Sequence, residues 1–417
     1  MIPLSRNRNY RLLWGSQVLT EFGANASAIA LPLLVLGVTG SPAASGLVLS
    51  VMAAARLVAG LPMGALADRW NRKKIMLGCE AASVVAGASL VAALWWDVVT
   101  LGHIVAVAAV MGLCAALFEP AEDACLPNLV PAGQLPAAVA MNSARSFLGH
   151  LSGTAAGGFF FALGRAVPFV AETLSHAVSF VGLTFLRVPA REVRPEAGRH
   201  LGHEMAAGVR WVWQNRPIRV IALCAVGLNL FVAAYYVVII LLAKANGVPA
   251  GEIGVMAAML GAGGFLGTLV APYAHRRVTP YQSILAVFWV LTALTPVAIL
   301  TRRGYAMGGV FAAMAFVAPT ANTTIETYGL LLTPDELRGR LSGVMSAAAG
   351  VAAAVGPALG GVLLEAVSDR QAVLLCTAGI GVVTLLATAS PTLRSFPHHT
   401  DEEALVTAAV VDQPVTP

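Results

Sequence analysis

Long apolar stretches of this sequence contain several ionisable side chains, five of which we select as the main candidates. They are Glu21, Arg145, His150, Glu172 and His176. An ionisable group at membrane depth costs roughly 2.5–3.5 kcal/mol on insertion scales, so each of these residues is a functional candidate. The chemistry open to them is the binding and release of protons and the holding of a polar substrate group. The sequence has no HExxH, GxSxG or GxxxxGK[ST] motif, which argues against an enzyme and against a nucleotide-driven pump.

Glu21 and Arg145 form the first candidate pair. Glu21 lies about two turns into the first apolar block and shares a helix face with Gln17 and Asn25. Arg145 lies near the middle of the fifth block and cannot shed its charge, so it needs an anionic or carbonyl partner. Glu21 is a candidate for that partner. The pair could be purely structural, or a proton could break it, and Glu21 could instead lie at the interface and stay ionised.

The remaining candidates are polar residues at helical spacing. Glu172 and His176 are four residues apart, which allows direct contact, and a carboxylate–imidazole pair can shuttle protons. His150 lies on the same helix as Arg145 and, like His176, could instead be a buried, hydrogen-bonded histidine. In the second half, one helix face carries Asn229 and Tyr236, and another carries Asn322 and Glu326. Such groups suit a large, partly apolar cavity, although packing or lipid contact is the alternative for each of them.

The composition predicts that the helices carrying these residues cross a membrane. The 417 residues are 58% hydrophobic and 11% charged, with a mean hydropathy of +0.77, whereas soluble domains are about a quarter charged. Each membrane span needs about 20 apolar residues, and the blocks are too long for barrel strands. We therefore predict an all-α integral membrane protein with twelve transmembrane helices. The blocks run approximately over 14–37, 44–66, 75–96, 99–121, 137–163, 166–187, 217–243, 251–273, 281–300, 304–327, 341–364 and 371–391.

The charges indicate the topology. The net charge of +5 comes from arginines and lysines in short loops, which is typical of membrane orientation and not of nucleic-acid binding. Because most of these cations fall on one side, we expect both termini in the cytoplasm. The five cysteines stand singly without metal-ligand spacing, so we expect no metal and no cofactor. Glu119, Glu122 and Asp123 cluster at the end of the fourth block, where we interpret them as a helix cap.

The blocks fall into two related halves. We predict a first six-helix bundle over 1–188, a cytoplasmic linker over 189–216, a second bundle over 217–391 and a disordered tail over 392–417. The linker contains a candidate amphipathic surface helix with Trp211 and Trp213 at headgroup level; a merely basic linker is the alternative. Features recur at a constant offset, since 267 − 64 = 203, 334 − 131 = 203 and 356 − 153 = 203 for Gly64/Gly267, Pro131/Pro334 and Gly153/Gly356. Parallel duplication of a six-helix unit places a substrate cavity between the halves.

Two motifs resemble signatures of the major facilitator superfamily. The loop after the second block, Gly64-Ala-Leu-Ala-Asp68-Arg69-Trp-Asn-Arg72-Lys73-Lys74, resembles the facilitator signature GxLaDrxGrkk, with Asn71 in place of its second glycine. The fifth block is similar to the GxxxGPxxGG signature of drug antiporters, with Thr154 at the proline position. Its glycines are Gly149, Gly153, Gly157 and Gly158, and the second half repeats them with the proline as Gly356, Pro357, Gly360 and Gly361.

Further segments resemble the macrolide-efflux and enterobactin-exporter group of drug:proton antiporters, including 10–17, 30–35, 39–42, 126–131 and 333–340. The resemblance covers about residues 1–395. It implies a bacterial plasma-membrane exporter of drug-like, antibiotic or siderophore-like molecules that works by alternating access in exchange for protons. It also implies that Gly64, Asp68, Arg69, Arg72, Lys73 and Lys74 latch the two halves. For Arg72, Lys73 and Lys74 the alternative is plain anchoring on the cytoplasmic side. We expect a monomer whose partners are its substrate, protons and lipids, with no nucleic acid.

Some relatives carry aspartate or arginine where this chain has Ala24 and Ser83. These departures leave open which carboxylate carries the proton. A proton-coupled importer, a lysolipid flippase of the same fold and a non-transporting sensor remain alternatives.

Overall fold

A computed structural model of the chain describes residues 4–187, 209–275, 278–300, 303–331, 333 and 335–394. Twelve long α-helices make up nearly all of this part. They are α1 Arg8–Thr39, α2 Pro42–Arg69, α3 Arg72–Trp95, α4 Leu101–Leu129, α5 Leu135–Leu163, α6 Val167–Thr184, α7 Arg216–Ala245, α8 Ala250–His275, α9 Pro280–Leu294, α10 Gly304–Leu331, α11 Asp335–Ala366 and α12 Asp369–Ala389. A 3₁₀ turn, Thr295–Ile299, continues α9, and a short helix α13, Pro391–Arg394, follows α12.

Eleven of these helices are long and apolar enough to cross a membrane. The exception is α5, whose 29 residues exceed the length of a span but include Asn142, Arg145, Ser146 and His150. α5 packs against α1 and α8, and its Arg145 is buried among the neighbouring helices. The all-α membrane fold predicted from composition is confirmed.

Side-chain caps fix where several helices begin. The side-chain oxygens of Asn7, Asn71 and Thr100 accept backbone N–H groups in the first turns of α1, α3 and α4. Thr279 forms a reciprocal capping box with Gln282 at the start of α9. Each such cap contributes about 1 kcal/mol to the helix it begins.

The helices form two six-helix bundles. In the first bundle α1 packs on α5 and α6, α2 packs on α4, and α3 packs on α4 and α6. In the second bundle α7 packs on α11 and α12, α8 packs on α10, and α9 packs on α10 and α12. The bundles meet where α2 packs on α11 and α5 packs on α8.

The segments between and after the bundles are described only in part. Of the predicted linker, residues 209–214 are helical, and 189–208 lie outside the described residues. Trp213 is exposed, as expected for a surface helix, whereas Trp211 packs against a buried cluster that includes Ile218 of α7 and Leu341 of α11. The predicted tail lies outside the described residues from 395 onward, and α13 covers its first three positions.

Because successive helices run in opposite directions, the connection at residues 40–41 and the connection at residues 367–368 lie at the same end of the molecule. We call this end the Gly40 end and the opposite one, where α3 begins, the Arg72 end. At the Gly40 end the bundles touch backbone to backbone. A Cβ atom on Gly158 of α5 would collide with the Ala250 carbonyl and with Gly254 of α8. A Cβ atom on Gly361 of α11 would collide with the Pro42 carbonyl of α2.

The repeated glycines have equivalent positions in the two bundles. Gly157 faces the Ala26 carbonyl of α1, and Gly360 faces the Ala234 carbonyl of α7, so each lies against the first helix of its own bundle. Gly158 and Gly361, the next residue in each case, face the opposite bundle. The offset is the same for both pairs, because 360 − 157 = 203 and 361 − 158 = 203. The sequence repeat is therefore a repeat of helix contacts.

Pro357 adds a second link between the bundles. The Ala358 N–H, which follows this proline in α11, donates to the Ser50 hydroxyl of α2 at 2.8 Å. A proline inside a helix clashes with the preceding turn, which leaves nearby backbone groups to find other partners. The adjoining glycines allow α2 to come close enough to supply one.

Glu365 also joins the bundles at the Gly40 end. Its Oε2 atom accepts hydrogen bonds from the Ser41 hydroxyl at 2.5 Å and from the Ala43 N–H at 3.0 Å. A carboxylate from α11 thus caps the first turn of α2, where negative charge is favoured.

We predict that Glu365→Gln raises the fraction of molecules open at this end, because the uncharged amide is a weaker acceptor. Spin labels at Val98→Cys and Asn246→Cys, which are exposed and belong to different bundles, would report the change as a longer distance. Glu252→Gln is the matched control, since Glu252 accepts from the Tyr305 N–H inside one bundle. Equal label distances in wild type and Glu365→Gln would show that this cap does not hold the bundles together.

Candidate transport site

A cavity of about 1280 Å³ lies among α1, α2, α3, α4, α6 and α11. This volume exceeds that of a typical drug-binding pocket. Its apolar wall includes Leu31, Met52, Leu57, Met111, Phe118 and Phe169, and its acidic residues are Glu21, Glu80, Glu119, Glu122 and Glu172. The stretch of α11 that faces it, 343–353, contributes mainly glycine, alanine and serine. The cavity is therefore roomy, mostly apolar and acidic.

Arg145 holds two carboxylates at one side of this cavity. It is 6% exposed. Its Nη1 atom lies 2.7 Å from Glu122 Oε1, and its Nη2 atom lies 3.1 Å from Glu21 Oε1. The three residues come from α5, α4 and α1, and we call them the Arg145 triad. When all three are ionised the triad carries one excess negative charge.

The contact between α1 and α5 brings Glu21 to Arg145. Gly149, one turn after Arg145, lies against the Glu21 side chain, so any larger residue there would push the two helices apart. Ser146 donates to Glu21 Oε1 at 3.0 Å. The other oxygen, Glu21 Oε2, is buried and has no hydrogen-bond partner among the described residues. An unpaired buried acceptor is costly, so this carboxylate is the less well satisfied of the two.

A second acidic cluster lies on α3 and α6. Glu80 is 2% exposed, and its Oε2 atom is 2.6 Å from Nδ1 of His176. Its Oε1 atom accepts from the Ser179 hydroxyl at 2.7 Å. Gln17 of α1 in turn donates to Ser179 at 3.3 Å. The structure thus places His176 beside Glu80, whereas the sequence suggested Glu172, which lines the same cavity one turn earlier on α6.

Two further polar contacts involve cavity-lining residues. Arg56 of α2 bonds Glu119 of α4 through both carboxylate oxygens at 2.6 and 2.7 Å, and both side chains are half exposed. Asn25 of α1 lies 2.8 Å from Nδ1 of His150. A Cβ atom on Gly261 of α8 would meet the His150 ring, so this histidine lies where α1, α5 and α8 converge.

Comparison with known proteins fits this arrangement. The family model described as "Transmembrane secretion effector" matches residues 1–415. The chain belongs to this family of major facilitators. It is a multi-pass membrane transporter and not an enzyme.

Relatives and solved structures agree with the assignment. The chain is 26% identical to the "Multidrug efflux pump Tap" of Mycolicibacterium fortuitum, over 90% of this chain and 93% of that protein. It is 27% identical to the MFS-type transporter YfiS of Bacillus subtilis, over 92% and 94%. Its fold is similar to that of the nucleoside transporter NupG, with a TM-score of 0.73, 12% identity and coverage of 93% and 99%. It is also similar to that of a bacterial homologue of Spinster in an inward-facing conformation, with a TM-score of 0.69, 15% identity and coverage of 94% and 98%.

The loop signature of this facilitator is described only in part. Gly64, Asp68 and Arg69 belong to α2, and their side chains lie outside the described part of the chain. Lys73 Nζ donates to the carbonyls of Thr184 and Leu186 at 2.7 Å each, at the end of α6.

Arg72 Nη1 donates to the Ala124 carbonyl of α4 at 2.5 Å, and Lys74 is exposed. Cations at helix C-termini are favourable. The described bonds of this cluster join helices of the first bundle, whereas the predicted latch would join the two bundles.

Among the second-bundle candidates whose side chains are described, none lines the cavity. Asn229 and Asn322 are exposed, and Asn229 donates to the Ala225 carbonyl of its own helix. Tyr236 is half-buried, and its ring lies 5.7 Å from that of Phe311. The side chain of Glu326 lies outside the described residues. The cavity-lining residues instead belong to the first bundle and α11.

Four charged residues around the cavity were not among the candidate transport residues, namely Arg56, Glu80, Glu119 and Glu122. Arg56 and Glu80 stand inside predicted apolar blocks, so the rule that selected Glu21 also applies to them. Glu122 was assigned to a helix cap because the fourth block was expected to end at 121. That assignment was wrong, since α4 continues to Leu129 and places Glu122 about two turns inside it, in contact with Arg145.

Proposed function

We propose that this facilitator exports small organic molecules in exchange for protons. The observation that carries the proposal is the buried Arg145 triad beside a cavity large enough for a drug-sized molecule. Proton exchange requires a titratable group that is accessible from the substrate cavity. The charge of this group must not be fully neutralised by neighbouring residues. Glu21 and Glu122 share one cation, and both line the cavity. The efflux activity named for the Tap relatives supports the direction of transport.

A proton on either carboxylate would make the triad electrically neutral. In a medium of low dielectric constant an uncompensated charge interacts strongly with its surroundings, so protonation and deprotonation change the packing energy of α1, α4 and α5. The helix α5 also carries Gly158, which touches α8 at the Gly40 end. A shift of α5 against α1 would therefore reach the contact between the bundles, which is how we connect proton binding to alternating access.

The cavity charge favours basic, amphipathic substrates. Among the described residues, five glutamates line the cavity, against Arg56 in the lining and Arg145 beside it, so their net charge is 2 − 5 = −3 with histidine neutral. A cationic nitrogen is attracted to such a cavity, and the apolar wall accommodates the rest of the molecule. Anionic siderophores fit this charge poorly.

We place both termini in the cytoplasm of a bacterial cell, with the Arg72 end inside. Arg72, Lys73 and Lys74 lie at that end, which agrees with the usual excess of basic residues on the cytoplasmic side. The Gly40 end, where the bundles touch, then faces outward.

Expression in a bacterial host without its own major efflux pumps tests the proposal. We expect resistance to basic, amphipathic antibiotics and dyes, and we expect a protonophore to abolish it because the gradient drives export. Measurement of dye retained by the cells, with and without the protonophore, separates export from slower entry. Increased sensitivity or net uptake would support an importer, and resistance that survives the protonophore would reject proton exchange.

A further inference from the structure

We propose that Glu80 and His176 form a second proton-binding site, so that the exporter exchanges two protons for one substrate when both sites turn over. This inference rests on the proposed exchange of protons and adds a site to it. The two residues belong to α3 and α6, whereas the Arg145 triad belongs to α1, α4 and α5. Both groups reach the same cavity.

The geometry gives His176 a defined way to bind a proton. Its Nδ1 atom lies 2.6 Å from Glu80 Oε2, so in the neutral ring Nδ1 carries the hydrogen and donates it to the carboxylate. The other ring nitrogen, Nε2, is then the acceptor, and His176 lines the cavity. An incoming proton binds at Nε2 and leaves the hydrogen bond to Glu80 intact.

The surroundings of the pair make both protonation states accessible. Burial of the pair opposes the imidazolium, while Glu80 and the nearby Glu172 favour it, since opposite charges at short distance stabilise each other. The Glu80 carboxylate is held by two groups, His176 and Ser179, so it is satisfied in either state. No other cation contacts Glu80 among the described ion pairs.

Several titratable or charged groups lie near this pair or line the same cavity. Glu172 on α6 and Cys114 on α4 interact electrostatically with His176. The cavity lining also contains Glu21 on α1, Arg56 on α2, Cys79 on α3, and Glu119 and Glu122 on α4, and Arg145 on α5 lies beside it. Arg56 and Arg145 are already bonded to glutamates. The positive charge that neutralises the α3–α6 wall must therefore come from a proton on His176 or from the substrate. The proton and a cationic substrate therefore compete for the same wall of the cavity, and such competition is required for exchange.

The test is a proton-uptake titration of the purified full-length transporter in weakly buffered detergent, with no substrate present. Between about pH 8 and pH 5 the wild type should take up about one proton per chain more than His176→Gln. Glu80→Gln should move this uptake to lower pH, because the imidazolium loses its counter-charge. In the His176→Gln background Glu80→Gln should have no further effect. Ser179→Ala keeps both titrating groups but removes a donor to Glu80, so its uptake should move to higher pH.

The outcomes separate this proposal from the proposed function. The second site would be rejected if wild type and His176→Gln took up equal numbers of protons and Ser179→Ala took them up at the same pH as wild type. This holds even if export remains sensitive to a protonophore. A titrating His176 in a protein whose export ignores the protonophore would keep the site and reject proton exchange. Substitution of the half-buried His103, which lies 3.0 Å from Ser89 and outside the cavity lining, is the histidine control, since its contribution should not respond to Glu80→Gln. If His176→Gln does not fold, the shifts of Glu80→Gln and Ser179→Ala in opposite directions decide the question.

Discussion

Replacement of Arg145 with alanine should reduce proton-driven export to the level of cells that lack the protein. The guanidinium is the cation that Glu21 and Glu122 share. Without it, the buried carboxylate of Glu122 and the partly buried carboxylate of Glu21 have no shared cation, and we expect at least one of them to hold a proton permanently. A site that cannot release its proton cannot couple to the gradient. The measurement is dye efflux from energised cells, with the amount of transporter in the membrane determined in parallel.

The matched controls separate charge from geometry. Arg165 forms an exposed pair with Asp97 at 3.3 Å, outside the cavity lining, and such surface pairs contribute about 0–1 kcal/mol. Arg165→Ala should therefore export normally. Arg145→Lys keeps the charge but not the planar fork that reaches two carboxylates at once, so we expect it to remain strongly impaired.

Protein stability must be followed as well, because removal of one partner from a buried ion pair typically costs about 3–5 kcal/mol. Loss of export together with loss of the protein from the membrane would say nothing about coupling. For that reason Arg145→Ala should be compared with the double variant Arg145→Ala, Glu122→Gln. The second substitution removes one of the two carboxylate charges that Arg145→Ala leaves unpaired. Full proton-driven export by Arg145→Ala, at normal abundance, would contradict the role that we give to the triad.

The sequence predicted which polar residues are functional candidates better than it predicted which residue each of them contacts. The positions of Glu21 and Arg145 in apolar blocks suggested a pair, and the structure places them in contact. Spacing within one helix suggested Glu172 for His176, but the bond is to Glu80 on another helix. Contacts between helices depend on rotation and crossing angle, which apolar spans of nearly uniform composition do not encode in their spacing.

The sequence also did not predict which helices line the cavity. A duplicated fold suggested contributions from both halves, and Asn229, Tyr236 and Asn322 were candidates because amide and aromatic groups suit a large, partly apolar cavity. The described lining residues come instead from the first bundle and α11. The repeat was readable because glycine is required wherever two backbones touch, and such positions recur at a fixed offset. A cavity wall has no comparable requirement, since many side chains can line it.

Gly158→Ala should shift the transporter towards states that are open at the Gly40 end and should strongly slow export. The added Cβ would meet the Ala250 carbonyl and the backbone of Gly254, and backbone atoms cannot rotate away as a side chain can. Overpacking of this kind costs about 1–3 kcal/mol, which corresponds to a change of roughly 5- to 150-fold in the ratio of closed to open molecules.

Distances between spin labels at Val98→Cys and Asn246→Cys measure that ratio directly. Gly361→Ala, the equivalent residue of the second bundle, should have a similar effect because its Cβ would meet the Pro42 carbonyl of α2. Gly37→Ala is the control, since a Cβ at that exposed position in α1 meets nothing within 4 Å. Alternating access requires the Gly40 end to close once in every cycle, so a substitution that opposes closure must slow transport even though the cavity and its charges are intact. Normal export with an unchanged label distance in Gly158→Ala would mean that the two bundles do not close at these glycines.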